Sequence, residues 1–292
     1  MELLLPDRRR QMDFFVCNIF DAVPKDDMGS MEHPMFTLST KPDTVIRRYE
    51  HNGNSITITP SVLGLATIFD KDVLIYCISQ LVEALNRGRE DVCRTVRVTA
   101  YDLLKATNRP TAGVGYDRLI AAFKRLEGTR IETNLQTNGT RIREGFGIID
   151  RWKIIERSPT DARMVAVEIT LSEWLYNAVL AREVLTISRD YFRLRKPIER
   201  RLYELARKHC GHQDKWTVSL ALLQKKCDSQ GSLREFRRII QQIVKHQHLP
   251  DYRLMYWEDR DQATFYNRDQ TGHAAQCRDI VTAARAGRPP KW

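Results

Sequence analysis

Apolar positions along the chain recur in two ways, every three to four residues or in short alternating runs, so a mixture of helices and strands is expected. Val73, Leu74, Cys77, Ile78, Leu81, Val82 and Leu85 form one helical stripe, with Asp70 as its cap and Gly88 as its stop. Ahead of it, residues 44–50 and 55–59 flank His51-Asn52-Gly53-Asn54. That is a hairpin signal, because an Asn-Gly step supplies the positive φ of a tight turn. Behind it come a strand over 94–98 and a short helix capped by Thr99 that runs through Leu103, Leu104 and Lys105. A turn from Asn108 to Gly115 leads into a helix over 116–126 with Leu119, Ile120 and Phe123 inward. Residues 129–135 and 140–149 then read as a hairpin around Thr137-Asn138-Gly139.

The second half repeats this grammar. A strand over 165–171 precedes a helix capped by Ser172 that carries Trp174, Leu175 and Val179. A longer helix over 197–210 puts Ile198, Leu202, Leu205 and Ala206 on one face. A short helix over 218–226 holds Leu222 and Leu223. Residues 232–247 form a further helix, with Ser232 and Glu235 at capping-box spacing. Residues 252–257 and 264–266 flank a charged turn. Leu103-Leu104 aligns with Leu222-Leu223 at an offset of 119, and Tyr116–Ile120 with Phe236–Ile240 at 120. One residue is therefore inserted in the turn between the paired helices.

A long helix, a short helix, another helix and a two-stranded ribbon make a unit that presents a helix to DNA. The expected fold class is α+β, with two tandem winged-helix domains at 34–157 and 158–267. Residues 1–33 are expected to be an arm, within an irregular stretch that contains Pro24, Gly29, Pro34 and Pro42. Residues 268–292 are expected to be a flexible tail, ending in Gly287-Arg288-Pro289-Pro290.

A probe helix must be apolar on one side and polar or cationic on the other. Residues 232–247 meet that demand. Leu233, Phe236, Ile240 and Ile243 make the inward stripe, and Arg234, Arg238, Gln241 and Lys245 an opposite one, flanked by Arg237 and Gln242. Arginine can engage guanine bidentately and glutamine adenine, while the remaining cations hold phosphates. The bland alternative is a solvated charged face. The first-half counterpart is weaker: Arg118 and Arg125 share a face with Ala121 and Ala122, Asp117 adds an acid, and Lys105, Arg109 and Lys124 lie near. Base reading and self-association both stay open for it. In the basic stretch 193–208, Arg195, Lys196, Arg200, Arg201, Arg207 and Lys208 are expected to clamp phosphates, unless Glu199 and Glu204 neutralise an ordinary exposed face. Lys225 and Lys226 join the expected DNA-binding set from the short helix before the probe.

Charge sharpens this picture. The 292 residues, 34.1 kDa, carry 47 Lys+Arg against 37 Asp+Glu, a formal +10. Residues 1–150 hold 20 of each sign, so the whole excess lies in 151–292, with 27 against 17. That asymmetry favours a polyanionic partner for the second half. A hydrophobic share of 42% with 29% charged residues describes a folded chain rather than a disordered one. No apolar run reaches the roughly 18 residues of a bilayer span. Leu3–Leu5 followed by Arg8-Arg9-Arg10 is too short and wrongly charged for a secretory signal. A cytoplasmic address with no membrane contact follows, and the six cysteines, none in a CxxC pair, read as reduced thiols.

Rival chemistries are poorly supported, and neither a cofactor nor a metal is expected. His246-Gln247-His248 has the His-x-His form of rolling-circle nickases, but it ends a helix and its middle residue is polar, while Tyr252 and Tyr256 fall in a strand. Cys210, His212, Cys227 and His246 match no zinc spacing, and no GxxxxGK[ST] loop is present.

Several longer stretches resemble one family. Gln11-Met12-Asp13-Phe14-Phe15-Val16, Lys25-Asp26-Asp27-Met28, Ser30-Met31-Glu32-His33-Pro34, DKDVLIYCISQ from Asp70, TAYDLLKAT from Thr99, SRDYFRLRKPIERRLYELARKHC from Ser188 and LREFRR from Leu233 are similar to the plasmid replication initiator protein A family. The resemblance covers residues 11–267 and leaves the stretch from Asn267 unmatched. It implies an iteron-type initiator that is not an enzyme, with two winged-helix domains on repeated origin DNA, local strand opening, and recruitment of the host initiator and replicative helicase. A homodimer is a further expected partner. The alternative reading is a dimeric transcriptional repressor of its own gene, and a nickase stands third.

Overall fold

The computed structural model describes the backbone of residues 15–16, 21–51, 53–134, 136–137, 140–141, 144–158 and 161–287. It is a mixed assembly of helices and strands. In chain order, β1 (Phe15–Val16) and β2 (Lys25–Asp27) lead to α1 (Met28–Glu32), the hairpin β3 (Arg47–His51) and β4 (Asn54–Thr59), and α2 (Lys71–Asn86). Next come β5 (Thr95–Val98), α3 (Ala100–Ala106) and α4 (Gly113–Gly128). β6 (Arg130–Thr133), β7 (Gln136–Thr137), β8 (Thr140–Arg141) and β9 (Glu144–Gly147) precede a long hairpin, β10 (Ile149–Ser158) and β11 (Asp161–Leu171). Then follow α5 (Glu173–Leu180), β12 (Val184–Thr186), a 3-10 turn over Arg189–Arg193 and α6 (Pro197–His209). β13 (Lys215–Ser219), α7 (Leu220–Cys227), α8 (Leu233–His246), β14 (Tyr252–Trp257), β15 (Gln262–Asn267) and α9 (Gln270–Arg285) complete the order.

The internal repeat is visible in the topology. In the first unit α2, β5, α3 and α4 are followed by the β10–β11 ribbon, and the sheet runs β5-β11-β10 beyond the short β1. In the second unit α6, β13, α7 and α8 are followed by the β14–β15 ribbon, and the sheet runs β13-β15-β14, also antiparallel. The hairpin expected at 129–149 is therefore not the first unit's ribbon. Its strands β6 and β9 join β3 and β4 in a separate sheet, β3-β4-β6-β9. Asn138 and Gly139 lie outside the described residues.

Burial fixes the register of the repeat. The N-caps Thr99 and Ser219, and buried Ala100 and Leu103 against Leu220 and Leu223, stand 120 residues apart. Buried Gly115, Leu119, Ala122 and Phe123 match Phe236, Ile240, Ile243 and Val244 at 121. The one-residue insertion is there, but each offset is one larger than letter matching suggests, because side-chain identity follows burial only loosely.

Among the described residues two large cores divide the molecule, and a smaller third cluster lies under the last helix. The first takes in α2, α3, α4, β4 and β5 and also Val167, Ile169 and Leu171 of β11 and Trp174, Leu175 and Val179 of α5. The expected boundary at 157/158 lies inside the β10–β11 hairpin, which is paired from Ile149↔Leu171 to Ser158↔Asp161. Val184 packs on the first core, while Leu185 and Ile187 pack on the second, so the change of core falls within β12.

The described parts of the expected arm and tail are more ordered than their composition suggests. β2 pairs with β12, Asp27 caps α1 by accepting from Ser30 N at 2.7 Å, and Met31 enters the second core. The expected tail forms α9 through Arg285, and residues 288–292 lie outside the described residues. Ala275 and Ala283 bury against Met255, Trp257 and Tyr266 on the outer sheet face, and Asp279 accepts from Tyr266 Oη at 2.7 Å. Small residues cover that face, which is why the helix leaves little apolar signal.

Candidate nucleic-acid interface

α8 is built locally. Ser232 Oγ accepts from Glu235 N at 3.2 Å and Glu235 Oε2 accepts from Ser232 N at 2.8 Å, a reciprocal cap of the first turn. Gln224 of α7 donates to Gly231 O at 2.6 Å and braces the turn between the helices. Phe236, Ile240, Ile243 and Val244 are buried. At the far end, Gln247 stands at φ 51°, and its side-chain amide donates to Leu254 O at 2.6 Å and accepts from Leu254 N at 3.1 Å. The amide thus acts as one more strand residue beside β14 and fixes the helix to the ribbon.

The outer face of α8 is solvent-facing. Arg234, Arg238, Gln241, Gln242 and Lys245 are exposed, and among the described residues none of them has an ion-pair partner. Arg237 is different. Its Nη2 lies 3.0 Å from Asp261 Oδ2 and its Nε donates to Tyr256 Oη at 2.9 Å. Asp261 and Tyr256 hold the guanidinium above its already high ordinary pKa and commit it to anchoring the β14–β15 turn.

The expected phosphate clamp on α6 divides. Arg195 and Lys196 are exposed. Arg200 and Arg201 are 3% and 2% exposed, which places them in the interior rather than on a DNA-facing surface. Arg200 donates from Nε to Leu194 O at 3.0 Å, pairs with Asp72, and lies over the rings of Phe69 and Tyr191 at 4.5 and 4.9 Å. Arg201 spends its donors on the carbonyls of Ser30, Met31, Glu32 and Lys226 and on Glu204. These carbonyls end α1 and α7, where helical partners run out, so one guanidinium caps two helix C-termini. Lys226 is buried beside Glu32, while Lys225 is exposed with its Nζ 5.7 Å from the Tyr49 ring centre. Arg200, Arg201 and Lys226 therefore leave the DNA-contacting set: a buried cation already paired with a carboxylate cannot reach a phosphate without breaking the interior.

The same network joins the two units. Lys71 Nζ, fully buried, sits 2.7 Å from Asp26 and 3.1 Å from Glu204, which also accepts from Tyr191 Oη at 2.7 Å. Burial opposes the Lys71 charge, but Asp26 and Glu204 outweigh it and hold its pKa above the ordinary value. α2 of the first unit, α6 of the second and the arm strand β2 thus meet on these buried charges.

In the first unit α4 lacks a side-chain cap at Ala112. Arg125 grips Asp70 with two contacts of 2.7 Å, which leaves Asp70 bracing α4 rather than capping α2. Arg109 pairs with Asp72 at 3.1 Å. Arg118 and Lys124 are exposed.

Tyr252 and Tyr256 are 2% and 6% exposed and donate to Gly211 O and Asp261, so neither hydroxyl is presented beside His246 and His248. Burial pushes the thiols of Cys210 and Cys227 up to about 11 and about 12, which keeps both protonated near neutrality. Cys77, Cys93, Cys210, Cys227 and Cys277 are free, and Cys17 lies outside the described residues. Among the described residues no cluster of three His, Cys, Asp or Glu can hold a metal, and no helix is long and apolar enough to cross a membrane.

The fold is similar to that of RctB domains 2 and 3. Two crystal structures of those domains align with TM-scores of 0.57 and 0.55 at 12% identity, each over 82% of this chain and 96–97% of theirs. A profile for "Replication initiator protein A" matches residues 25–254. A protein of Wigglesworthia glossinidia brevipalpis carrying the name "Putative replication protein" is 38% identical over 269 residues, 91% of this chain and 98% of its own length. The chain belongs to the replication initiator protein A family.

Proposed function

We propose that the protein is a cytoplasmic, non-enzymatic plasmid initiator that reads repeated origin sequences in duplex DNA through two winged-helix units, with α8 as the main probe. The observation that carries this reading is the outer face of α8. Five cationic or amide side chains project from a helix whose opposite side is buried, and the capping box and the Gln247 clamp hold it rigidly. Arg234 and Arg238 supply bidentate donors suited to guanine and Gln241 and Gln242 amides suited to adenine. Arg195, Lys196, Lys225, Arg118 and Lys124 hold phosphates around it. Two linked units gain affinity by effective concentration and read a longer site than either alone. Opening of the duplex requires tighter binding to distorted than to straight DNA. Recruitment of the host initiator and helicase, and pairing of two copies, complete the role that the family implies.

Protection footprinting of the full chain on its plasmid's DNA tests the reading. Repeated protected segments are expected, with permanganate-reactive thymines beside them. Protection without reactive thymines is the outcome for a simple repressor of its own gene. Arg234→Ala or Arg238→Ala is expected to cost about 1–3 kcal/mol at a cognate repeat. Unchanged affinity in both removes α8 from the interface.

A further inference from the structure

Between the two units lies a cleft of about 740 Å³ whose lining includes seven Lys or Arg and two carboxylates. The carboxylates, Asp70 and Asp72, are already matched by Arg125, Arg109 and Arg200. The cations left facing the opening are Lys41, Arg118, Arg193 and Arg195, all exposed, with Arg193 also 2.9 Å from exposed Asp190.

At the mouth of this cleft stands a short apolar loop. Val62 is 94% exposed and Leu63, which also lines the cleft, is 49% exposed. The loop is fixed. Gly64 N donates to Ser61 O at 3.0 Å, Leu63 N to Ser61 Oγ at 3.1 Å, and Leu65 N to Asp43 O at 2.8 Å. Gly64 holds φ +92°, and a Cβ there would come within 2.8 Å of Asp43 N. Ser61 packs so closely on the last turn of α4 that a Cβ on Gly128 would meet its Cβ at 2.6 Å. Val45 and Ile46, 58% and 51% exposed, lie on the segment that Leu65 is bonded to. The loop therefore runs beside α4 on the side where Arg118 and Arg125 project, with cations on one flank and branched aliphatic side chains at its tip.

We propose that this cleft and loop form a DNA-distorting site: the rim cations seat backbone phosphates across the junction of the units while Val62 and Leu63 press into a neighbouring base step and kink it. A fixed apolar tip beside phosphate ligands is the chemistry that unstacks base pairs. A protein partner is less well matched, because the surrounding rim is cationic and its own carboxylates are spent within the chain. The proposal rests on the reading that the protein binds duplex DNA, and adds the element that distorts it.

The test compares the full-length chain, the double variant Val62→Ser/Leu63→Ser and the double variant Arg118→Ala/Arg195→Ala on an end-labelled origin duplex. Binding is followed over a range of salt, and bending by energy transfer between the ends. The wild-type chain is expected to bend the duplex by at least about 20°. The serine variant is expected to lose that bend and keep its salt dependence. The alanine variant is expected to flatten the salt slope by about 0.9 for each phosphate it no longer neutralises. A serine variant that bends DNA like the wild type overturns the proposal, as does one that changes only the oligomeric state seen by light scattering. An unchanged slope in the alanine variant overturns the phosphate seat. A wild-type chain that does not shift duplex DNA overturns the underlying reading as well, whereas wild-type binding with a normal bend in both variants overturns this proposal alone.

Discussion

Helices α4 and α8 each follow a short capped helix and bury equivalent positions, 121 residues apart. Their outer faces differ. At that register Arg234, Arg238, Gln241 and Gln242 of α8 stand where α4 has Gly113, Asp117, Ile120 and Ala121, and only Lys245 finds a like residue, Lys124. α8 is closed by a capping box, while α4 begins at Ala112 with no side-chain cap. The buried stripe is what both units need to fold. The outer stripe is free of that demand, so it records what each helix is used for. On the proposed reading α8 discriminates bases, and α4 contributes phosphate contacts and, through the loop beside it, distortion.

The largest expected effect tests whether the two helices work from one rigid frame. Lys71→Met leaves Asp26 and Glu204 as buried charges without their shared partner, and a cost of about 3–5 kcal/mol in chemical denaturation is expected. A cost near zero means that the units are not held together through this network. Next come the probe faces. The loss of about 1–3 kcal/mol expected for Arg234→Ala or Arg238→Ala is specific to the cognate repeat. Arg118→Ala and Lys124→Ala are expected to weaken cognate and mixed-sequence duplexes alike. Equal sequence dependence in both helices erases the distinction drawn between them.

Ser232→Ala removes half of the capping box and is expected to cost about 1 kcal/mol of stability, with Ala112→Ser in α4 giving a smaller gain. Glu32 supplies a pH handle on the second unit. Burial works against its charge, but the His209 ring nitrogen, 2.8 Å away, and the Lys226 ammonium outweigh this and hold its carboxyl well below its usual range. Its contribution to stability is therefore present above the ordinary glutamate pKa and is lost as the pH falls through the depressed value. Glu32→Gln is expected to flatten the acid side of the stability profile measured by denaturant midpoints, and an unchanged profile removes Glu32 from that role. The smallest effect is the most direct swap. Asp117→Arg places the Arg238 charge on α4 and is expected to steepen the salt slope of duplex binding by about 0.9. A slope that stays the same means that this face of α4 does not meet DNA.

The parts of the candidate site that are legible in the sequence are those that local chemistry encodes. The stripe of Phe236, Ile240 and Ile243, the Ser232–Glu235 cap and the cations opposite them lie within four turns of one helix, and the structure orients them as the spacing predicts. The parts that are not legible there depend on partners far along the chain. Arg200 and Arg201 look like surface charge in sequence, because nothing local announces that Asp72 lies 128 positions away or that the carbonyls of α1 and α7 converge on α6. Arg237 sits in the cationic run of α8, yet Asp261 claims it from across the ribbon.

By itself the sequence determined the helices from α2 to α8, which of them has the most strongly divided apolar and cationic faces, and that positive charge collects in the second half. Periodicity, caps and composition are properties of neighbouring residues, and the backbone expresses them wherever the segment ends up. Only the tertiary structure decided which hairpin serves as the first ribbon, where one core gives way to the next, that α9 closes the last sheet, and which arginines face outward. Those outcomes are set by strand pairing and by the cost of burying a charge without a partner, and both depend on residues brought together from distant parts of the chain.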